Sequence, residues 1–193
     1  MPDTPVQVAV IVGSTRDGRF GPTVASWFVE HAAQRGDIAI DVVDLARTPL
    51  PAHITHRPDP AEAQALQAVS PRLAAADAFV VVTPEYNHSF PAPVKNAIDW
   101  HHSQWHAKPV GFVSYGGVSG GLRAVEHLRQ VFAELHAVTV RDTVSFHGAV
   151  DKFDADGRPI DPMTTTAADK LLDQLLWWAD ALRSARAERP YVA

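Results

Sequence analysis

The chain alternates short runs of consecutive apolar residues with longer stretches in which apolar residues recur every three or four positions. The runs are Val6 to Val12, Ile38 to Val43, Ala78 to Thr83, Pro109 to Ser114 and Ala137 to Phe146. All five predict strands; the first and third, apolar on successive positions, predict strands buried on both faces, as in a parallel sheet. The longer stretches predict helices near 22–35, over 61–75 with a disturbance at Pro71, over 93–102, over 122–135 and a final one marked by Leu171, Leu172, Leu175, Leu176, Ala179 and Leu182. In the fourth of these, Leu122, Val125, Leu128, Phe132 and Leu135 give an amphipathic stripe. Strand and helix alternate with a period of roughly 35 residues, as in βα units. The expectation is an α/β protein built on an open, doubly wound, five-stranded parallel sheet with helices on both faces. Residues 45–60 hold prolines 49, 51, 58 and 60 and predict a loop. Residues 148–162, with Asp151, Asp154, Asp156 and Asp161, predict an exposed excursion. The whole of 1–193 reads as one domain.

In such sheets ligands bind beyond the carboxyl ends of the strands, so the loops after the first, third and fourth strands are the informative ones. The first, Gly13-Ser14-Thr15-Arg16-Asp17-Gly18-Arg19-Phe20-Gly21-Pro22, leads from a strand into a helix whose first position suits Pro22. Free N–H groups and the positive end of the helix dipole make such a junction an anion site. Ser14 and Thr15 add hydroxyls, and Arg16 and Arg19 add charge-assisted donors. The spacing approaches a nucleoside-triphosphate loop, but Arg19 stands where lysine belongs and Phe20 where a magnesium-binding hydroxyl belongs. The glycine spacing of a dinucleotide loop is absent. One terminal phosphate is the better fit; the alternative is a turn whose Ser and Thr only cap the helix.

The loop after the third strand, Pro84-Glu85-Tyr86-Asn87-His88-Ser89-Phe90-Pro91, is stiffened by proline. It is expected to present the N–H groups of Glu85, Tyr86 and Asn87, with Tyr86 as a half-polar wall suited to a planar heterocycle. A simple proline-rich reversal is the alternative. The loop after the fourth strand, Ser114-Tyr115-Gly116-Gly117-Val118-Ser119-Gly120-Gly121, lets backbone approach a ligand closely and opens a second helix; a flexible connector is its alternative. A hydrolase using Ser14 or Ser114 lacks the nucleophile elbow and a placed base.

Composition narrows the chemistry. Net charge is −5, which argues against nucleic acid as a partner. Cysteine is absent, so any redox chemistry comes from a cofactor. The start, Met-Pro-Asp-Thr-Pro, lacks the pattern of a signal peptide, and no apolar run is long enough for a membrane span. A cytoplasmic location is therefore expected. His102 and His106 have helical metal-pair spacing without a carboxylate motif, and His53 and His56 sit in the proline-rich loop; zinc usually needs more ligands than either pair offers. Trp177 and Trp178 read as core and interface. Asp154 to Gly157 loosely suggests calcium but lacks the later glutamate, which favours a solvated turn.

Taken in order, Gly13-Ser14-Thr15-Arg16, Pro84-Glu85-Tyr86-Asn87 and the Ser114–Gly121 loop resemble the NADPH-dependent FMN reductases of flavodoxin-like fold. Pro91, Lys95, Asn96 and Asp99 add to the resemblance, which runs over about residues 6–136. It implies strand order 2-1-3-4-5, bound FMN, and ping-pong transfer from NADPH or NADH to a small-molecule electron acceptor such as a free flavin, quinone, azo compound or metal oxyanion. It implies that Ser14 and Arg16 hold the phosphate, that Pro84, Glu85, Tyr86 and Asn87 line the ribityl chain and ring, and that Ser114, Tyr115, Gly116 and Gly117 border its other side. Arg19, Phe20 and Gly21 complete the expected cofactor contacts; Arg19 is assigned from its charge alone. A homodimer or homotetramer is implied, with the helix before Trp100 at the contact. No catalytic side chain is required, because the cofactor carries the chemistry. A flavin carrier or redox sensor without turnover is the alternative.

Overall fold

A strand apolar on both faces is buried inside a layered sheet, and all five expected runs become strands, the two less apolar ones at the edges. The computed structural model describes residues 4–193. Its strands are β1 (Val6–Val12), β2 (Ile38–Asp44), β3 (Ala78–Pro84), β4 (Pro109–Gly116) and β5 (Val138–His147). They form one sheet in the order β2-β1-β3-β4-β5, every neighbouring pair parallel. This is the expected flavodoxin-like topology. Met1 to Asp3, which open the stretch read as lacking a leader, lie outside the described residues.

The helices are α1 (Gly21–Ala32), α2 (Pro60–Gln67), α3 (Ser70–Ala75), α4 (Ala92–Asp99), α5 (Leu122–Glu134) and α6 (Met163–Glu188). α1 and α6 cover one face of the sheet with Val24, Phe28, Leu171 and Leu175. α3, α4 and α5 cover the other with Leu73, Ile98, Leu128 and Phe132. Among the described residues no helix is long and apolar enough to cross a membrane.

Three expectations need correction. The disturbance at Pro71 is a complete break, and α3 restarts at Ser70 with the proline in its first turn, where a missing N–H is harmless. The separate α2 buries no residue and is held by a capping box between Asp59 and Glu62. The 148–162 excursion is not wholly exposed: after a 3₁₀ turn at Ala149–Lys152, Phe153 is only 8% exposed. Its ring centroid lies 5.2 Å from that of Phe20 and 4.7 Å from that of Phe146. One aromatic anchor is hidden there among aspartates and prolines. Trp177 and Trp178 are not core: the buried stripe of α6 runs through Leu171, Leu172, Leu175, Leu176 and Ala179, leaving the two indoles 65% and 37% exposed. Asp154, by contrast, is a turn residue, accepting from the N–H groups of Asp156 and Arg158.

Candidate functional site

The loops after β1, β3 and β4 meet at the carboxyl edge of the sheet. Gly13 leaves β1 with its N–H on the Val82 carbonyl at 2.9 Å, and a Cβ there would stand 2.4 Å from Val94 Cγ2. The loop then turns through Gly18 at φ 63° and enters α1. No side chain caps α1, so the reading in which Ser14 and Thr15 serve only as caps does not hold. Ser14 is 1% exposed. Its Oγ and the Tyr115 hydroxyl are both buried and lie close enough to influence each other, but no third group among the described residues bonds either. They converge on one spot, because a Cβ on Gly21 would lie 2.2 Å from Ser14 Oγ and 2.7 Å from Tyr115 Oη. A buried donor without an acceptor is costly, at about 1–3 kcal/mol, and an uncapped helix N-terminus beside the pair favours an anion. Burial pushes the Tyr115 phenol up to about 12, so it keeps its proton as a donor. Arg16 is exposed, pairs with no carboxylate among the described residues, and lies with its guanidinium 5.4 Å from the centre of the Tyr86 ring. The arrangement fits a terminal phosphate next to an aromatic wall.

Arg19 does not join this group. Its guanidinium meets both Asp44 oxygens, at 2.6 and 2.7 Å, and the Ser14 carbonyl at 2.9 Å. The charge assigned above to a phosphate is matched by the carboxylate that ends β2. Burial alone would raise the Asp44 carboxyl; the Arg19 hydrogen bond, the Ala46 N–H and the charges of Arg19 and Arg47 together hold it below the ordinary range. Phe20, partly buried, packs edge-on to Tyr115 and Phe153 against the core.

The second loop also differs from expectation. The Glu85 N–H donates to the Tyr115 carbonyl at 3.1 Å and the Tyr86 N–H to the Ser89 carbonyl at 2.8 Å. Of the three N–H groups expected to face a ligand, Asn87 remains. Asn87 and His88 sit at φ 49° and 76°, left-handed conformations that asparagine and histidine adopt more readily than most residues. The Glu85 carboxylate, 6% exposed, turns onto α5 instead of a ligand. Pro84 closes β3 and is buried. In the third loop the Ser114 hydroxyl donates to the Gly120 carbonyl at 2.8 Å, so it braces the glycine turn and is no nucleophile. Gly120 and Gly121 need their φ values of 60° and 85°, and a Cβ on Gly121 would stand 2.7 Å from Ser114 Cβ. Gly116 packs against that turn, whereas Gly117 has open space around it.

Sequence reasoning missed Asp44, Ser119 and Arg123. Asp44 had a signal, since it ends an apolar strand on the same sheet edge as two arginines. The other two had none. A cleft of about 690 Å³ adjoins the first loop at Thr15, walled by Leu45, Leu50, Ile54, Pro93 and Asn96; residues 84–87 and 114–117 do not border it. His101, His102 and His106 lie between the end of α4 and the start of β4, away from these loops, whereas His53 and His56 sit in the loop that walls the cleft. His101 is 1% exposed, bonded to Ser70 and the Ala97 carbonyl, and burial pushes its imidazole down. His102 and His106 approach to 3.1 Å. Among the described residues no group of three His, Cys, Asp or Glu is gathered to hold a metal.

The sheet order and the phosphate-type loop define a flavodoxin-like protein. A sequence model described as NADPH-dependent FMN reductase matches residues 6–151, and the chain belongs to that family. It is 33% identical over 178 residues to a probable NADPH:quinone oxidoreductase of Oryza sativa, covering 89% of this chain and 86% of that one. It is 31% identical to a quinone reductase of Escherichia coli, covering 88% and 89%. With an NAD(P)H-dependent FMN reductase of Schizosaccharomyces pombe it shares 37% over 122 residues, 60% of each chain. Among solved structures, the flavoenzyme NAD(P)H:(acceptor) oxidoreductase FerB of Paracoccus denitrificans shares the fold, with TM-score 0.73 at 24% identity over 91% of this chain and 98% of that one.

Proposed function

We propose that residues 1–193 form one flavodoxin-like domain that binds FMN and passes electrons from NADPH or NADH to a small acceptor. A quinone is the acceptor class favoured by the relatives' names. The observation that carries this reading is the pair of buried hydroxyls of Ser14 and Tyr115, bonded by no third group among the described residues and meeting over Gly21 at a helix end no side chain caps. In it, Ser14, Tyr115 and the Gly21 N–H donate to the phosphate, since Pro22 has no N–H and those of Thr23 and Val24 are taken by the Phe20 carbonyl, and Arg16 supplies the countercharge. Tyr86 and the Asn87 N–H face the ring from the β3 side, and Gly117 leaves room on the β4 side. Arg19 braces the loop, and Phe20 and Ser114 support it from behind. Bound FMN would supply the hydride and electron chemistry. The chain's part is to bind, orient and donate hydrogen bonds to developing negative charge, each worth about 1–3 kcal/mol.

The same reading takes the protein to be cytoplasmic and a homodimer or homotetramer, with the exposed Trp177–Trp178 pair as a candidate contact. Light scattering of the purified protein tests the assembly. The central experiment is a visible spectrum after adding FMN, then NADPH or NADH without oxygen. Bound yellow flavin that bleaches supports the reductase. Bound flavin that stays yellow with both nucleotides favours a carrier or sensor, and no binding refutes the site.

A further inference from the structure

α5 begins with an electrostatic conflict. Its N-cap, Gly121, has no side chain to accept from the first turn, no acidic residue follows, and Arg123 places a positive charge at the positive end of the helix dipole. The missing acceptor comes from the loop after β3. Glu85 Oε2 accepts from the Arg123 N–H at 3.3 Å and from Ser119 Oγ at 2.5 Å, while Oε1 meets the Arg123 guanidinium at 2.5 Å. Burial would raise this carboxyl, but Ser119 and Arg123 keep it ionised. One turn along α5, His127 Nδ1 meets Ser89 Oγ at 2.9 Å. Arg123 and His127 are thus two rungs on one helix face, gripping the segment 85–89 at both ends. Between those ends lies the left-handed Asn87–His88 pair, in a two-residue turn closed by reciprocal backbone bonds between Tyr86 and Ser89 at 2.8 and 3.1 Å. The turn closes the segment on itself, and the two rungs fix where it stands relative to α5.

We propose that Glu85, Arg123 and His127 are positioning residues, a clamp that joins the two loops flanking the ring and holds the Tyr86–Asn87 wall in its ligand-binding conformation. This inference rests on the flavin reading above. It differs from a contact role, because none of the three side chains need touch the ligand. It also separates the two halves of the site: the clamp governs the ring wall, whereas Ser14 governs the phosphate.

The test is titration of the full chain with FMN and with riboflavin, read by flavin fluorescence, alongside the melting midpoint. Arg123→Met and Glu85→Gln are expected to weaken both flavins by a similar factor of about tenfold, the scale of one lost charge-assisted hydrogen bond. Their bound-flavin absorbance should shift, and Arg123→Lys should restore part of the affinity. Ser89→Ala, which removes one neutral hydrogen bond, should weaken both by about threefold and guards against a folding defect in the other two. Ser14→Ala should weaken FMN and leave riboflavin unchanged. Wild-type protein that binds neither flavin overturns the flavin reading itself. Wild-type protein that binds FMN, with clamp variants that lose melting temperature but keep both affinities and the absorbance, overturns the clamp alone.

Discussion

Replacing Arg19 with methionine separates a brace from a phosphate ligand. The guanidinium is about 15% exposed, makes a two-oxygen contact with Asp44 and adds a bond to the Ser14 carbonyl. Breaking a fully buried pair from one side costs about 3–5 kcal/mol, and an exposed pair contributes about 0–1. This pair lies between, so a loss of about 2–3 kcal/mol is expected. For a chain of this size that is a fall of roughly 5–10 °C in melting midpoint. Asp44→Asn should cost a similar amount, and the double variant should cost less than the sum. The pH dependence follows from the sign of the Asp44 shift. Its folded-state carboxyl titrates below the unfolded one, so its contribution is complete above the ordinary carboxylate range and disappears as pH falls through the lower folded value. Wild type and Asp44→Asn should therefore converge in stability in acid. FMN affinity in Arg19→Met should fall by about tenfold or less, through loosening of the Ser14 loop. If instead the variant melts like wild type and loses FMN by a hundredfold while riboflavin binding is unchanged, Arg19 is a phosphate ligand and the brace is wrong.

Gly21→Ala would place a methyl in the space between the Ser14 and Tyr115 hydroxyls, so FMN binding should be lost in a titration of the folded variant. Phe153→Ala should cost about 3–5 kcal/mol by urea unfolding, whereas an exposed excursion would lose almost nothing. Lys108 is 7% exposed and bonded to the Leu73 and Ala74 carbonyls, with its ammonium pushed down to about 8, first by burial and then by Arg186. Between that value and the unfolded one near 10.5 the unfolded chain holds the extra proton, so stability should rise with pH, by about 2–4 kcal/mol in all. Lys108→Met should flatten that rise.

The sheet was legible because its three inner strands, β1, β3 and β4, are apolar on both faces, a pattern few other arrangements tolerate, while β2 and β5 at the edges are only half-buried. The loop glycines were legible because backbone geometry demands them at Gly120 and Gly121. Partner choice was not. Arg16 and Arg19 look alike in sequence, yet only Arg19 lies within reach of Asp44, a residue 25 positions away. Glu85 was expected at the ligand because its neighbours are; the chain bends so that its carboxylate meets a helix beginning 37 residues later. Phe153 was masked by a polar composition that describes the segment's average and not its one buried ring.

That ring has a consequence for synthesis. Every residue of the candidate site, from Gly13 to Arg123, emerges from the ribosome before the wall behind it exists. Phe20, Trp27 and Phe146 await Phe153 and the leucines of α6, which are made last. Nascent chains stopped after β5 would show these aromatic faces to water and so be clients for chaperones. The matched family region ends at residue 151, just short of Phe153, so a fragment cut to that boundary would inherit the same exposure.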